Sequence, residues 1–452
     1  MSLVQVLGSL AATLAAYGAY RGIKLLYGEY KSPLRDLPGP RSASLIYGNL
    51  GEIWEAENSV LHEKWVKEYG PTIQYTGFFG MRRLYTMDTK GLNHILMNTD
   101  IYQKPEITRY NMARILGAGV LVVEGDKHKY QRKVMNPAFG PSQVRELTEI
   151  FVAKSIEVCP RFELSVALLI SLIEKLRDIW AAENAREGGT SQIDALSWLS
   201  RATLDIIGLA GFNYHFDALS GDPEKNELNE AFATMFKAGT KMSKTEQDEK
   251  LGPARKTMSR IGNELLRESK ASIQEKSAWK TRDLLSLLVK SNMATDVPEQ
   301  QRMSEEDVLA QVPTFLIAGH ETTSTATTWA LYALTQDKNV QDKLRKELLA
   351  VETDNPTMDE LNALPYLDMV VRETMRIHAP VPMTLRHAVK DDVLPLNKSF
   401  TDRKGAVHDR VRPERWENVP ELAAGIPGVW GNMLTFLGGP RACIGYRFSI
   451  VE

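Results

Sequence analysis

A thiol in a glycine loop and an acid beside a hydroxyl on a long helix are the two places where this 452-residue chain could do chemistry. The thiol is Cys443, in Phe436-Leu437-Gly438-Gly439-Pro440-Arg441-Ala442-Cys443-Ile444-Gly445, and it is one of only two cysteines. Thiolate is the nucleophilic and metal-binding form of cysteine, and nearby cations and helix N-terminal amides favour it. The loop supplies Arg441 and runs into a helix-like stretch. Offered as a single axial ligand, a thiolate can hold haem iron and donate electron density that favours O–O cleavage. A buried structural cysteine in a glycine turn is the plainer reading of the same residues.

The second place is Ala318-Gly319-His320-Glu321-Thr322-Thr323-Ser324. It lies within the longest helical signal of the chain, 304–337, where Ser304 with Asp307 three positions on reads as a capping box. Small Ala318 and Gly319 allow a flat cofactor and a small gas molecule near the backbone. Glu321 beside Thr322 can carry protons into an apolar site. Runs of threonine are poor helix formers, so a helix bend with hydroxyls bonded back to carbonyls is the alternative. Pro313 predicts a kink or break in this helix.

Three further groups stand at helical spacing. Glu373 and Arg376 share one helix face, with Pro413-Glu414-Arg415-Trp416 downstream. His128 and Arg132 share another face, ahead of Asn136-Pro137. Arg386 follows Pro380-Val381-Pro382-Met383-Thr384-Leu385.

Taken in order, these motifs resemble those of the cytochrome P-450 family, microsomal and fungal in style, and the resemblance covers nearly the whole chain. The family's cysteine loop reads F-x-x-G-x-R-x-C-x-G. By resemblance Cys443 is the iron ligand of haem b, Arg441 a propionate partner, and Phe436 packs beside the sulfur. Gly439 and Gly445 keep the backbone close to the macrocycle. Glu321 and Thr322 relay protons to dioxygen, and Ala318 and Gly319 shape the oxygen groove. Glu373, Arg376 and Arg415 form a buried structural triad. His128 stands where the family more often has Trp, and with Arg132 and Arg386 it binds propionate; Met383 and Thr384 border the substrate. The resemblance implies a mainly α fold with a small β-rich part. It implies a monooxygenase that inserts one oxygen atom from O2 into an apolar small molecule, in fungal secondary metabolism such as terpenoid biosynthesis. A fatty-acid or xenobiotic hydroxylase fits the same motifs.

Bulk properties agree. Charged residues make up 25% and hydrophobic ones 43%, an ordinary globular composition, and a net charge of −2 argues against a nucleic-acid partner. Two cysteines make no disulfide framework and no iron–sulfur set. With no flavin or nicotinamide fingerprint either, electrons are expected from an NADPH-dependent flavoprotein reductase.

The elements that must position these groups follow an uncharged, mostly apolar stretch from Leu3 to Tyr20, with Arg21, Lys24 and Lys31 after it. Its length just reaches that of a membrane span, and the basic flank favours the cytoplasmic side. The expectation is an anchor over 1–25 that holds the chain in the endoplasmic reticulum membrane as a single pass, catalytic domain toward the cytosol; a cleaved signal peptide is the alternative. A proline-rich linker follows over 26–49, with Leu37-Pro38-Gly39-Pro40, and the haem domain occupies 50–452.

Residues 61–69 read as helix and Thr72–Tyr75 with Arg83–Met87 as a β-hairpin. The charge-rich stretch 241–256 reads as a solvated loop or helix face. Val158-Cys159-Pro160-Arg161 and the apolar run to Ile173 interrupt a helical pattern, so residues 158–174 are read as an insertion. Residues 397–412 are short and charged where the family has more structure, and the chain stops nine residues after Cys443. These departures give a competing expectation: an inactive product, truncated at its C-terminus, that holds no stable haem.

Overall fold

The computed structural model describes residues 3–56, 59–141, 179–182, 184–186, 192–212, 214–220, 231, 234, 244–274, 284–293, 302–351, 358–396 and 426–451. Helices dominate, and the strands are short and paired two by two. The chain divides into two compact units, Met1–Met97 with Asp392–Val407, and Asn98–Asp391 with His408–Glu452.

The first unit begins with α1 (Leu3–Lys31), which ends six residues beyond the expected anchor and reaches into the expected linker. Among the described residues no helix is long and apolar enough to cross a membrane. The Ser9 and Thr13 hydroxyls of α1 bond back to the carbonyls of Val6 and Ser9, while Leu7, Leu10, Leu14, Tyr17 and Tyr20 are exposed.

The proline run is docked. The Gln74 amide donates to Pro38 O at 2.9 Å, and a Cβ on Gly39 would stand 1.8 Å from Gln74 O. The chain continues through α2 (Leu50–Glu55) and α3 (Val60–Tyr69) into β1 (Thr72–Thr76) and β2 (Arg82–Thr86), then α4 (Thr89–Met97). The two strands are antiparallel, Thr72 opposite Thr86, as the alternating pattern predicts. Buried Asn49 fastens α2 to β1, its Oδ1 accepting from the Thr76 amide at 3.0 Å and hydroxyl at 2.9 Å.

The second unit comprises α5 (Glu106–Leu116), α6 (Gly125–Met135), α7 (Ala195–Phe212), α8 (Lys244–Gln274), α9 (Leu284–Met293), α10 (Glu305–Gln336), α11 (Lys338–Leu349), α12 (Met358–Asn362), α13 (Pro365–Ile377) and α14 (Tyr446–Val451). A two-residue strand β3 (Tyr102–Gln103) pairs with β4 (His387–Ala388). Its core gathers Met135 of α6, Leu204 and Ile207 of α7, Leu265 of α8, Leu285 and Leu288 of α9, and Val308, Val312 and Leu316 of α10. Each such side chain contributes about 1.5–3 kcal/mol by leaving water, which fixes α10 as the axis against which α7 to α9 pack.

Ser304 Oγ accepts from the Asp307 amide at 3.1 Å, and Glu305, Glu306 and Asp307 place negative charge at the N-terminus of α10. The expected break at Pro313 does not occur: the helix is continuous over its 32 residues. Proline removes one ladder bond, and the buried Val312, Thr314, Phe315 and Leu316 beside it keep the helix from ending there. The stretch 241–256 is helical from Lys244 onward, as part of α8. The insertion read at 158–174, the short segment 397–412 and Arg415 lie outside the described residues.

Candidate functional site

The cysteine loop is closed by the Cys443 amide, which donates to Phe436 O at 2.8 Å. Leu437 at φ +56° and Gly439 at φ +69° supply the left-handed turns that bring the chain back on itself. Gly438 allows the closest approach: a Cβ there would stand 1.6 Å from Pro427 O. Thr435 Oγ1 donates to Met375 O at 3.0 Å and ties the loop to α13. Phe436 is buried between Trp430 and Tyr446, with ring centroids 5.7 and 6.1 Å away.

Cys443 itself reaches solvent. The protein around it pushes its thiol up from the ordinary value, while the Gly445 amide and the Arg132 cation pull it back. A side chain both accessible and closely surrounded sits in a concavity. Beside it Gly445 is not crowded, since a Cβ there would meet nothing closer than Phe139 at 3.8 Å.

Around this loop the structure gathers cations. Arg132 donates from Nη1 to Ala442 O at 2.6 Å and from Nε to Asn136 Oδ1 at 2.9 Å. Arg441 donates from Nη1 to Val123 O at 2.8 Å and pairs through Nη2 with Glu124. Lys104 lies 3.5 Å from Glu124, and burial together with Arg441, Arg386 and Arg109 brings its ammonium down to about 7. Burial and Arg109 lower Arg441 to about 10, and burial lowers Arg386 and Arg132. His128 is only 5% exposed, and burial, Lys104 and Arg132 hold it near 4. Arg109 Nε is buried without a hydrogen-bond partner. Arg441, Arg386 and Arg109 thus disfavour the Lys104 charge, Arg109 disfavours that of Arg441, and among the described residues Glu124 pairs with both Lys104 and Arg441. Such a group is completed by a bound dianion, and the two propionates of haem beside an accessible thiol have that character. The residues present fit the group.

A second group lies on α10. Ala318 is exposed, and Thr322 Oγ1 donates to its carbonyl at 2.6 Å. The Glu321 side chain is 29% exposed and stands 3.4 Å from buried His320. Gly319 faces another way. A Cβ there would stand 2.7 Å from Ile207 Cγ1, so its smallness serves the contact between α7 and α10. The carbonyl of the next residue, His320, accepts from Thr203 Oγ1 at 3.0 Å at the same contact.

The third group is the carboxylate of Glu373, fully buried, held by Arg376 through Nε at 2.9 Å and Nη2 at 3.1 Å. Arg386 donates from Nη1 to Thr384 Oγ1 at 2.5 Å and to Leu385 O at 2.8 Å, and Met383 and Thr384 are exposed. Sequence reasoning missed Lys104, Arg109, Glu124 and Gly438. Only Gly438 carried a visible signal, as the first of two adjacent glycines; the other three meet through the fold alone.

A solvent-reaching thiol in a tight loop, with the Arg132 cation near it and Arg441 two residues before it, has the chemistry of a haem-thiolate site. Residues 37–399 match the cytochrome P-450 family. The chain belongs to that family, and it is a monooxygenase of the cytochrome P-450 type. Cytochrome P-450 monooxygenase 205 of Postia placenta is 48% identical, over 99% of this chain and 89% of its own length. Monooxygenase 128 of the same fungus is 46% identical, over 98% and 87%. A ganoderic acid synthetase of Ganoderma lucidum is 29% identical, over 97% and 89%. The first of these alignments runs over 501 positions against 452 residues, so at least 49 residues of that relative have no counterpart here.

Proposed function

We propose that the chain binds haem b with the Cys443 thiolate as axial ligand and monooxygenates an apolar small molecule, with electrons from an NADPH-dependent flavoprotein reductase. The observation that carries this reading is the solvent-reaching Cys443 with the Arg132 cation beside it, together with the neighbouring group of Lys104, Arg109, Arg386 and Arg441. When bound, haem supplies the activation of O2 that no side chain can perform.

The chain's own residues hold, orient and supply protons. Arg441, Arg132 and Arg386 neutralise propionates, with Arg109 near Arg441 and His128 neutral beside Arg132. Arg132 and the Gly445 amide favour the thiolate over the thiol. Glu321, part exposed, exchanges protons with water. Thr322 Oγ1, its hydrogen directed at Ala318 O, offers its lone pairs to a proton donor. The exposed leucines and tyrosines of α1 attach the chain to a membrane surface, that of the endoplasmic reticulum, with the haem unit in the cytosol. A terpenoid substrate in secondary metabolism accords with the relative named for ganoderic acid synthesis.

The test is the difference spectrum of the reduced protein with carbon monoxide, followed by turnover with NADPH and reductase. A thiolate-type band and reductase-dependent product support the proposal. A second reading, a chain that retains no haem, draws on the 49 or more residues present in a relative and absent here, and on the exposure of Val381, Met383 and Leu385. Absence of the band selects it.

A further inference from the structure

Two glutamines on different helices, Gln131 of α6 and Gln311 of α10, are each 0% exposed. Both reach the loop that joins α5 to α6. Gln131 Nε2 donates to Ala118 O at 3.1 Å and to Asp307 Oδ1 of α10 at 3.2 Å. Gln311 Oε1 accepts from the Val120 amide at 3.0 Å. Its Nε2 donates to Asp307 O at 2.9 Å, which fixes the side chain along its own helix. Lys127 Nζ of α6 adds an ion pair to Asp307 Oδ1 at 2.8 Å. Between the two amides the loop backbone lies directly on α10. A Cβ on Gly119 would stand 2.5 Å from Thr314 Oγ1 and 2.7 Å from Ala310 O. One on Gly117, at φ +72°, would stand 3.2 Å from Ala310 Cβ.

Net stability is a poor account of Gln131. Its Oε1 is buried with no partner among the described residues, and an unpaired buried acceptor is destabilising. What the side chain supplies is the pair of bonds at its other atom, one to the loop and one to α10. From this geometry we infer that Gln131 and Gln311 are positioning residues. They clamp the 117–122 loop to α10, and so set the spacing of α5 and α6 against α10. On one side of that spacing stand Arg109 of α5 and His128 and Arg132 of α6. On the other stand Ala318 and Thr322 of α10. Gln131 acts through α6, whose next residue, Arg132, reaches Ala442 O at 2.6 Å. What the clamp positions rests on the haem-thiolate reading above: cations at the edge of the cofactor, and small and hydroxyl residues at its face. The clamp itself does not depend on that reading.

The test uses the full chain with Gln131→Met and Gln311→Met, which keep side-chain length and remove the hydrogen-bonding atoms. In the haem-free protein, deuterium exchange at the Val120 amide is expected to be about 2- to 12-fold faster in each variant, the equivalent of one ordinary hydrogen bond. Unchanged exchange in either variant overturns the clamp. In the haem-loaded protein the readout is the infrared stretch of carbon monoxide on the reduced iron, a probe of the surroundings at the cofactor's face. Each variant is expected to keep the thiolate-type difference band and to shift or broaden the infrared band. A variant that loses stability while its infrared band stays as in the wild type has a merely structural glutamine, and overturns the positioning role. Should a Met variant fail to fold, Gln131→Asn and Gln311→Asn, which draw the amide back by one carbon, are read by the same two measurements. If the wild type shows no thiolate band, the proposed function fails, and the exchange at Val120 alone upholds or overturns the clamp.

Discussion

Arg132 Nη1 donates to the carbonyl of Ala442 at 2.6 Å, across 310 positions of sequence, one residue before Cys443. The bond carries α6 directly to the loop that holds the thiol. It also brings the guanidinium close enough to favour the thiolate.

Replacing Arg132 by Met removes the bonds to Ala442 O and Asn136 Oδ1 together with the charge. Hydrogen bonds to charged groups contribute about 1.5–3 kcal/mol each, so the haem-free chain is expected to lose on that order in urea unfolding. With the cation gone the Cys443 thiol moves further up. Alkylation of Cys443 as a function of pH, on a Cys159→Ser background, is expected to shift to higher pH; an unmoved profile contradicts the contact.

Arg376→Met takes the guanidinium from a fully buried carboxylate. Breaking one side of a buried pair costs about 3–5 kcal/mol. The double variant Glu373→Gln, Arg376→Met is expected to be less damaged than the sum of the singles, because no buried charge remains. Thermal unfolding of the four proteins measures it, and strict additivity speaks against the pair.

Gly319→Ala drives a methyl to 2.7 Å from Ile207 Cγ1. Overpacking of this kind costs about 1–3 kcal/mol. Adding Ile207→Ala is expected to recover part of the loss by opening the space the methyl needs. If Gly319→Ala is as stable as the wild type and alters only the spectrum or the coupling of O2 use, the residue serves the cofactor and not the helix contact.

His128 gives a pH dependence with a definite sign. Its folded value is near 4, against an ordinary 6.5, so as pH falls the unfolded chain takes up the proton first. The stabilising effect of keeping His128 neutral is complete above pH 6.5 and lost as pH falls toward 4, by at most about 3 kcal/mol. Urea unfolding across that range is expected to show a steeper decline for the wild type than for His128→Gln; equal slopes contradict it.

The sequence by itself determined the locally specified parts. Ser304 with Asp307 marked the start of α10, and the alternation of Thr72–Tyr75 with Arg83–Met87 marked the hairpin, because caps and pleats act over two to four residues. The F-x-x-G-x-R-x-C-x-G run marked the loop around Cys443, where Gly439 takes a left-handed turn. Spacing of three put Arg376 on Glu373. Even here local rules overreached. Pro313 did not break α10, because burial on both sides outweighs one missing ladder bond.

Only the tertiary structure decided what Arg441 holds. Its carboxylate partner Glu124 is 317 positions away, and Lys104 and Arg109 join the group from one segment and Arg386 from another. Gly319, assigned with Ala318 to one groove, belongs to the contact with Ile207, because neighbours on a helix point about 100° apart. Electrostatic fields and close packing depend on distances through space, and those distances exist only once the helices have packed around α10.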